Sequence, residues 1–274
     1  MIESSVNNNF CVLVMSCDKY HDLWSHFFYF FDKYWKDCPY PVYLATNSKS
    51  FTHKNVKVIN SNCVSTWSEE TAIVLDKLPH DYIIYLQDDY FILDNVNTIA
   101  LTNLCSKFVQ YKADYLRLFP IIGPDSVFKS ENDIGLISKN ASYRTSLQAA
   151  IWRKESLKKL LVFSENQWEF ESNSPSRSGL MLFLSINQQN KGRFKNHTYP
   201  IKYYYLTAVL RGKWRRGILN ICKREGVVLD LNYRKPESYG QYLYQSFYDF
   251  SPTIIKKCLD IIKSKLIKSQ SINI

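Results

Sequence analysis

Four short strand-like runs, separated by helix-like stretches, constrain the fold of this 274-residue chain more than any other feature. They are Phe10–Ser16 (FCVLVMS), Pro41–Thr46 (PVYLAT), Val56–Asn60 (VKVIN) and Tyr82–Leu86 (YIIYL). The first of them is a continuous apolar run, which fits a strand covered on both faces, as in parallel sheets. Between the first two runs, Leu23, Phe27, Phe30, Phe31 and Tyr34 recur at three-and-four spacing and predict a helix over 22–35. Ser68-Glu69-Glu70 reads as the start of a second helix, with Ser68 as N-cap and two acids at its positive end, stopping before Pro79. A third helix is expected over 97–111, followed by a strand over 115–119.

Beyond Pro120 the pattern loosens. Gly123-Pro124-Asp125 reads as a turn, 146–152 (SLQAAIW) as a strand, 154–161 as a helix and 179–187 as helix-like. The whole predicts an α/β fold: an open, mostly parallel twisted sheet flanked by helices, with a helical C-terminal extension. We expect one domain over 1–250, in two parts at about 10–120 and about 121–250. The tail, 251–274, reads as an amphipathic helix with Ile255, Leu259, Ile262 and Leu266 on one face and Lys256, Lys257, Lys263 and Lys268 largely elsewhere. Such a helix suits an anionic membrane surface, and equally suits packing on the domain.

The seven cysteines are odd in number and form no CxxC pair, which points to a reducing compartment and no zinc site. The first nine residues lack a signal-peptide layout, and no apolar run approaches the ~20 residues needed to span a bilayer. A cytoplasmic protein, peripheral on the inner face of the plasma membrane, is the expectation. The net charge of +10 favours anionic partners.

The sharpest local feature is Gln87-Asp88-Asp89, directly after a buried strand. Ligands of open α/β sheets bind beyond the carboxyl ends of the strands. Two adjacent carboxylates there suit a divalent ion that keeps water and diphosphate oxygens in its remaining positions. A plain turn cap is the competing reading.

The strand order and this acidic turn resemble the GT-A glycosyltransferases, with closest similarity to those of bacterial O-antigen or capsule assembly. In that family a DXD-like motif after a strand holds the metal and the nucleotide-sugar diphosphate. Here Gln87 replaces the first acid. The resemblance implies Asp89, then Asp88, as ligands of Mn2+ or Mg2+, and a nucleoside-diphosphate sugar, UDP-sugar favoured, as donor. It places Ser16 and Asp18 near the base and ribose and Asn47 beside the nucleotide, although Asp18 and Asn47 also suit simple turn roles. A downstream carboxylate acts as base in inverting members. Glu171, then Glu169, match that place in chain order, with Trp168 as a stacking surface for a glycan or lipid-linked acceptor. Both glutamates also fit a solvated amphipathic turn. The resemblance further implies that Arg215 and Arg216 neutralise the leaving diphosphate and that His197 is a late metal ligand, although a solvated loop and a structural histidine fit as well.

Two other classes fit parts of the sequence. A nucleotidyltransferase would carry a Gly-rich loop after the first strand, where this chain has Ser16-Cys17-Asp18-Lys19. A non-catalytic nucleic-acid or anion binder would suit the charge. No zinc-finger, helix-turn-helix or RRM signature is present, and no nucleic-acid partner is expected.

Overall fold

The computed structural model describes residues 9–63, 65–120, 122–141, 143–187, 199–203 and 207–250. The chain divides into two compact units, Met1–Tyr205 and Leu206–Ile274. In the second unit Ala208, Val209, Trp214, Ile218 and Cys222 are buried. The predicted tail helix and His197 lie outside the described residues.

The first unit is built on a nine-stranded sheet in the order β3-β2-β1-β4-β8-β5-β9-β7-β6. Its strands are β1 (Phe10–Met15), β2 (Val42–Thr46), β3 (Val56–Asn60), β4 (Tyr82–Gln87), β5 (Tyr115–Arg117), β6 (Ser126–Val127), β7 (Ile134–Leu136), β8 (Ala150–Arg153) and β9 (Phe183–Ile186). All except β7 and β8 run in one direction. The helices are α1 (His21–Tyr34), α2 (Trp67–Lys77), α3 (Thr98–Gln110), α4 (Lys154–Leu160) and α5 (Gln167–Arg177). Among the described residues no helix is long and apolar enough to cross a membrane.

Every residue of β1 and β2 is buried, as their unbroken apolar runs require. Helix α1 buries Leu23, Trp24, Phe27, Phe28, Phe30 and Phe31, and Phe30 stacks on Phe91 at 5.1 Å between centroids. The register matters most for function. Met15 pairs with Ala45 on one side and with Gln87 on the other. Three neighbouring strands therefore end level, and the polar residues that follow them emerge side by side.

Several local expectations are corrected. Thr66, not Ser68, caps α2: its backbone is extended and its side chain accepts from Glu69 N–H at 3.3 Å, whereas Ser68 lies buried within the first turn. The stretch 179–187 contains strand β9, not a helix. Its four strand residues are fully enclosed between β5 and β7, and a short buried apolar run has no periodicity to distinguish helix from strand. Strand β8 starts at Ala150, so Ser146–Ala149 form a loop beside the sheet edge. Strands β6 and β7 were not anticipated. In β7, Gly135 lets Pro124 and Asn187 come close: a Cβ there would sit 2.7 Å from Pro124 Cβ and 2.8 Å from Asn187 Oδ1.

The second unit contains β10 (Val209–Leu210), β11 (Lys213–Trp214), α6 (Arg216–Arg224) and α7 (Tyr239–Phe250). Arg211 and Gly212 join the two strands with φ of 50° and 74°, the pair of positive values that a type I′ hairpin needs.

Candidate active site

The level ends of β1, β2 and β4 gather the residues singled out from the sequence, but each is held differently. Asp18 follows β1 and serves as a clasp for the loop after β2. Its carboxylate accepts from the backbone N–H of Asn47 (3.1 Å), Ser48 (3.1 Å) and Lys49 (3.1 Å) and from Ser48 Oγ (2.6 Å). Three successive N–H groups aimed at one carboxylate form an anion-binding nest. Partial burial alone would raise the Asp18 pKa, but the Ser48 hydroxyl and these N–H groups together hold it below the usual aspartate value. Asn47 completes the clasp: its Oδ1 accepts from Asp18 N–H at 2.8 Å, and its Nδ2 donates to the Cys63 carbonyl at 3.1 Å. Asp18 and Asn47 thus shape the wall of the site.

Beside them, Ser16 joins two elements. Its hydroxyl donates to Asp88 Oδ2 and accepts from Trp24 Nε1 at 2.6 Å, tying α1 to the turn after β4. That turn is closed by Tyr90 N–H donating to the Gln87 carbonyl at 3.0 Å, while Asp88 N–H donates to Met15 O at 3.2 Å. Asp88 is buried and Asp89 half-buried. Burial, followed by the charge of Asp88, raises the pKa of the neighbouring Cys17 thiol.

Glu171 arrives from α5, 82 residues after Asp89 in sequence. The link is short. Tyr90 Oη donates to the Leu147 carbonyl at 3.0 Å, and Leu147 N–H donates to Glu171 Oε1 at 2.7 Å. Electrostatics agree with this geometry. The buried Tyr85 hydroxyl is shifted upward first by its burial and then by Glu171, Asp88 and Asp89 together. Burial raises the Glu171 pKa, against the opposing pull of Leu147 N–H, the Ser146 side chain and the charge of Arg117. A carboxyl group whose pKa burial raises holds its proton more strongly than a free glutamate, which suits it to proton transfer.

The structure separates the two glutamates. Glu169 is exposed and closes a capping box, accepting from Asn166 N–H at 2.9 Å while Asn166 Oδ1 accepts from Glu169 N–H at 3.1 Å. Trp168, one residue earlier, is exposed on the first turn of α5. Arg215 and Arg216 lie in the second unit. There Arg215 is buried with its Nε 3.3 Å from Glu237 Oε1, and Arg216 N–H donates to the same oxygen at 2.9 Å.

Sequence reasoning missed Arg117, Tyr85, Tyr90 and Trp24. Arg117 is buried and donates to the carbonyls of Ile122 (2.7 Å), Tyr143 (2.5 Å) and Arg144 (3.1 Å), and its Nε donates to Tyr115 Oη at 3.1 Å. A lone arginine at the end of a strand run carries no periodic signal, so nothing in the sequence marks it.

Among the described residues, no three His, Cys, Asp or Glu side chains gather as a metal cage. Asp88 and Asp89 nevertheless supply hard carboxylate oxygens at one turn. That suits an ion taking most of its coordination from a diphosphate and water, the usual manner of Mg2+.

No protein-family model matches the chain, and no curated protein matches it. Among solved structures it is similar to S. aureus TarS 1–349, with 15% identity and a TM-score of 0.43 over 65% of this chain and 57% of that one. The same fragment in complex with UDP gives 16% identity and a TM-score of 0.44, again over 65% and 57% of the two chains. The similarity thus spans just over half of that TarS fragment. A candidate nucleotide-diphospho-sugar transferase of Desulfovibrio desulfuricans G20 is similar at 11% identity and a TM-score of 0.39, over 65% of this chain and 79% of that one.

Proposed function

We propose that the first unit is a glycosyltransferase that moves a sugar from a nucleoside-diphosphate sugar, a UDP-sugar favoured, to a hydroxyl of a glycan or lipid-linked acceptor in surface polysaccharide synthesis, with inversion. The observation that carries this reading is the meeting of Glu171 with the Asp88-Asp89 turn through Tyr90 and Leu147. It links a carboxyl group suited to proton transfer to a turn bearing two suited to a cationic partner, at the carboxyl ends of the strands, where α/β folds take ligands.

In this mechanism the donor nucleotide lies beyond β1 and β4, against the wall that Asp18 and Asn47 shape. A divalent ion held by Asp89, with Asp88 beside it, would offset charge on the diphosphate. The Glu171 carboxylate takes the proton of the acceptor hydroxyl. The acceptor oxygen bonds to the anomeric carbon as the bond from that carbon to the diphosphate oxygen breaks, and the nucleoside diphosphate leaves. Trp168 offers an exposed ring on which an acceptor sugar stacks.

The test is thermal denaturation of the purified chain with UDP, GDP, CMP and dTDP, with and without manganese. Binding to the folded state alone raises Tm by mass action. A rise with UDP that disappears in Asp89→Ala is expected. No rise with any nucleotide in well-folded protein would overturn the proposal.

A further inference from the structure

The second unit holds most of the chain's charge. Residues 206–274 contain 13 Lys and Arg against 5 Asp and Glu, and so hold +8 of the total +10. Of the described cations there, Arg211, Lys213, Lys223, Arg224 and Lys235 are exposed. Two of the acids, by contrast, are turned inward: Glu237 is buried against Arg215, and the Glu225 side chain is mostly enclosed.

Helix α7 adds a second, independent feature. Tyr239, Leu243 and Phe247 recur at spacing four, which places them on one face, and they are 62%, 53% and 59% exposed. A helix of a water-soluble domain normally turns such a stripe inward. Here it faces outward with cations beside it. Lys213 Nζ is 3.5 Å from Gln241 Oε1 on the same helix, and the Arg216 guanidinium lies 5.4 Å from the centre of the Tyr239 ring. Val228 and Leu231, after α6, are also exposed.

We infer that this unit docks on a bilayer rich in anionic lipid, with Tyr239, Leu243 and Phe247 entering the headgroup boundary and the surrounding cations meeting the lipid phosphates. Charge complementarity selects the occupant: basic side chains flank an apolar stripe, the combination that an anionic interface binds. Nucleic acid could stack on Tyr239 and Phe247, but it leaves the exposed Leu243, Val228 and Leu231 without an apolar partner, which a bilayer boundary supplies. The inference is independent of whether the first unit transfers sugar.

The test is sedimentation of the full chain with vesicles of phosphatidylglycerol and phosphatidylcholine, or of phosphatidylcholine alone, at low and high salt. Partition to the anionic vesicles only, reversed by salt, is expected. In Leu243→Ser/Phe247→Ser, partition should fall at least tenfold while Tm and any UDP-induced shift stay unchanged. Should that variant fail to fold, Lys213→Gln/Lys223→Gln decides, because both side chains are exposed. It should weaken partition by about fivefold per charge, from about 1 kcal/mol per cation near such a surface. Absence of partition, equal partition of the variants, or salt-dependent binding to RNA or DNA without vesicle binding would overturn the inference.

Discussion

Leu147 N–H donates to Glu171 Oε1 at 2.7 Å, so the loop before β8 fixes the carboxyl group of α5 against the turn after β4. A glutamine keeps an oxygen in that place but takes no proton. Glu171→Gln should therefore lower turnover by about 10²-fold or more. Stability should move the other way. The pKa of Glu171 is raised in the folded state, so its stabilising contribution is present below about pH 4.3 and is lost as pH rises through the raised value. Removing the ionisable group should raise Tm near neutral pH, and the gain should vanish in acid. Thermal denaturation across pH beside an activity assay reads both effects. Unchanged turnover would remove Glu171 from the base role.

Asp18 has the opposite sign. Its pKa is depressed, so its contribution is present above about pH 3.9 and is lost as pH falls through the lowered value. Asp18→Ala leaves the N–H groups of Asn47, Ser48 and Lys49 without this acceptor. Because the loop is largely exposed, water compensates in part, and a loss of about 1 kcal/mol is expected. For a chain of this size that is a fall of about 2–4 °C in Tm, closing as the pH is lowered. Calorimetry at pH 7 and in strong acid checks it.

The two acids of the turn should separate cleanly. Asp88 is buried and accepts from Ser16, which in turn accepts from Trp24. Asp88→Ala should lower Tm by the loss of about one charge-assisted hydrogen bond, about 1–2 kcal/mol, softened because the half-buried Ser16 hydroxyl keeps the Cys17 carbonyl as an acceptor at 3.3 Å. Asp89→Ala should abolish the rise produced by UDP with manganese, whereas Asp88→Ala should lower Tm already without ligand. Equal behaviour of the two variants would mean that the turn has no division between anchor and ligand site.

Much of this was legible in the sequence where the signal is local. The runs that became β1, β2 and β4 are largely apolar, and the acids that follow β4 stand out against them. Glu171 was legible only as a place in chain order, one of two glutamates in a row of four residues. The choice between it and Glu169 needed Asn166, whose capping box draws Glu169 to the surface. Asp18 was read as a ligand residue with a turn role as alternative; its partners at 47–49 become neighbours only when β1 and β2 pair. Strand β9 and the Arg117 network could not be read for the same reason: three-residue pairings and bonds to distant carbonyls leave no period in the chain.

Arg117 offers the most stringent check on that hidden part. It is buried, it bonds the carbonyls of Tyr143 and Arg144 in the loop that leads to Leu147, and its charge pulls the Glu171 pKa downward. Replacing it with glutamine removes a charge and most of its donors. The Glu171 pKa should then rise further, and the rising limb of the pH–activity profile should move to higher pH. Arg117→Lys keeps the charge without the planar fork, so it should restore the position of that limb while recovering only part of the stability. A purely structural role would lower Tm in both variants and leave the limb in place. The pH profile, more than the loss of activity, decides whether the loop held by Arg117 tunes Glu171.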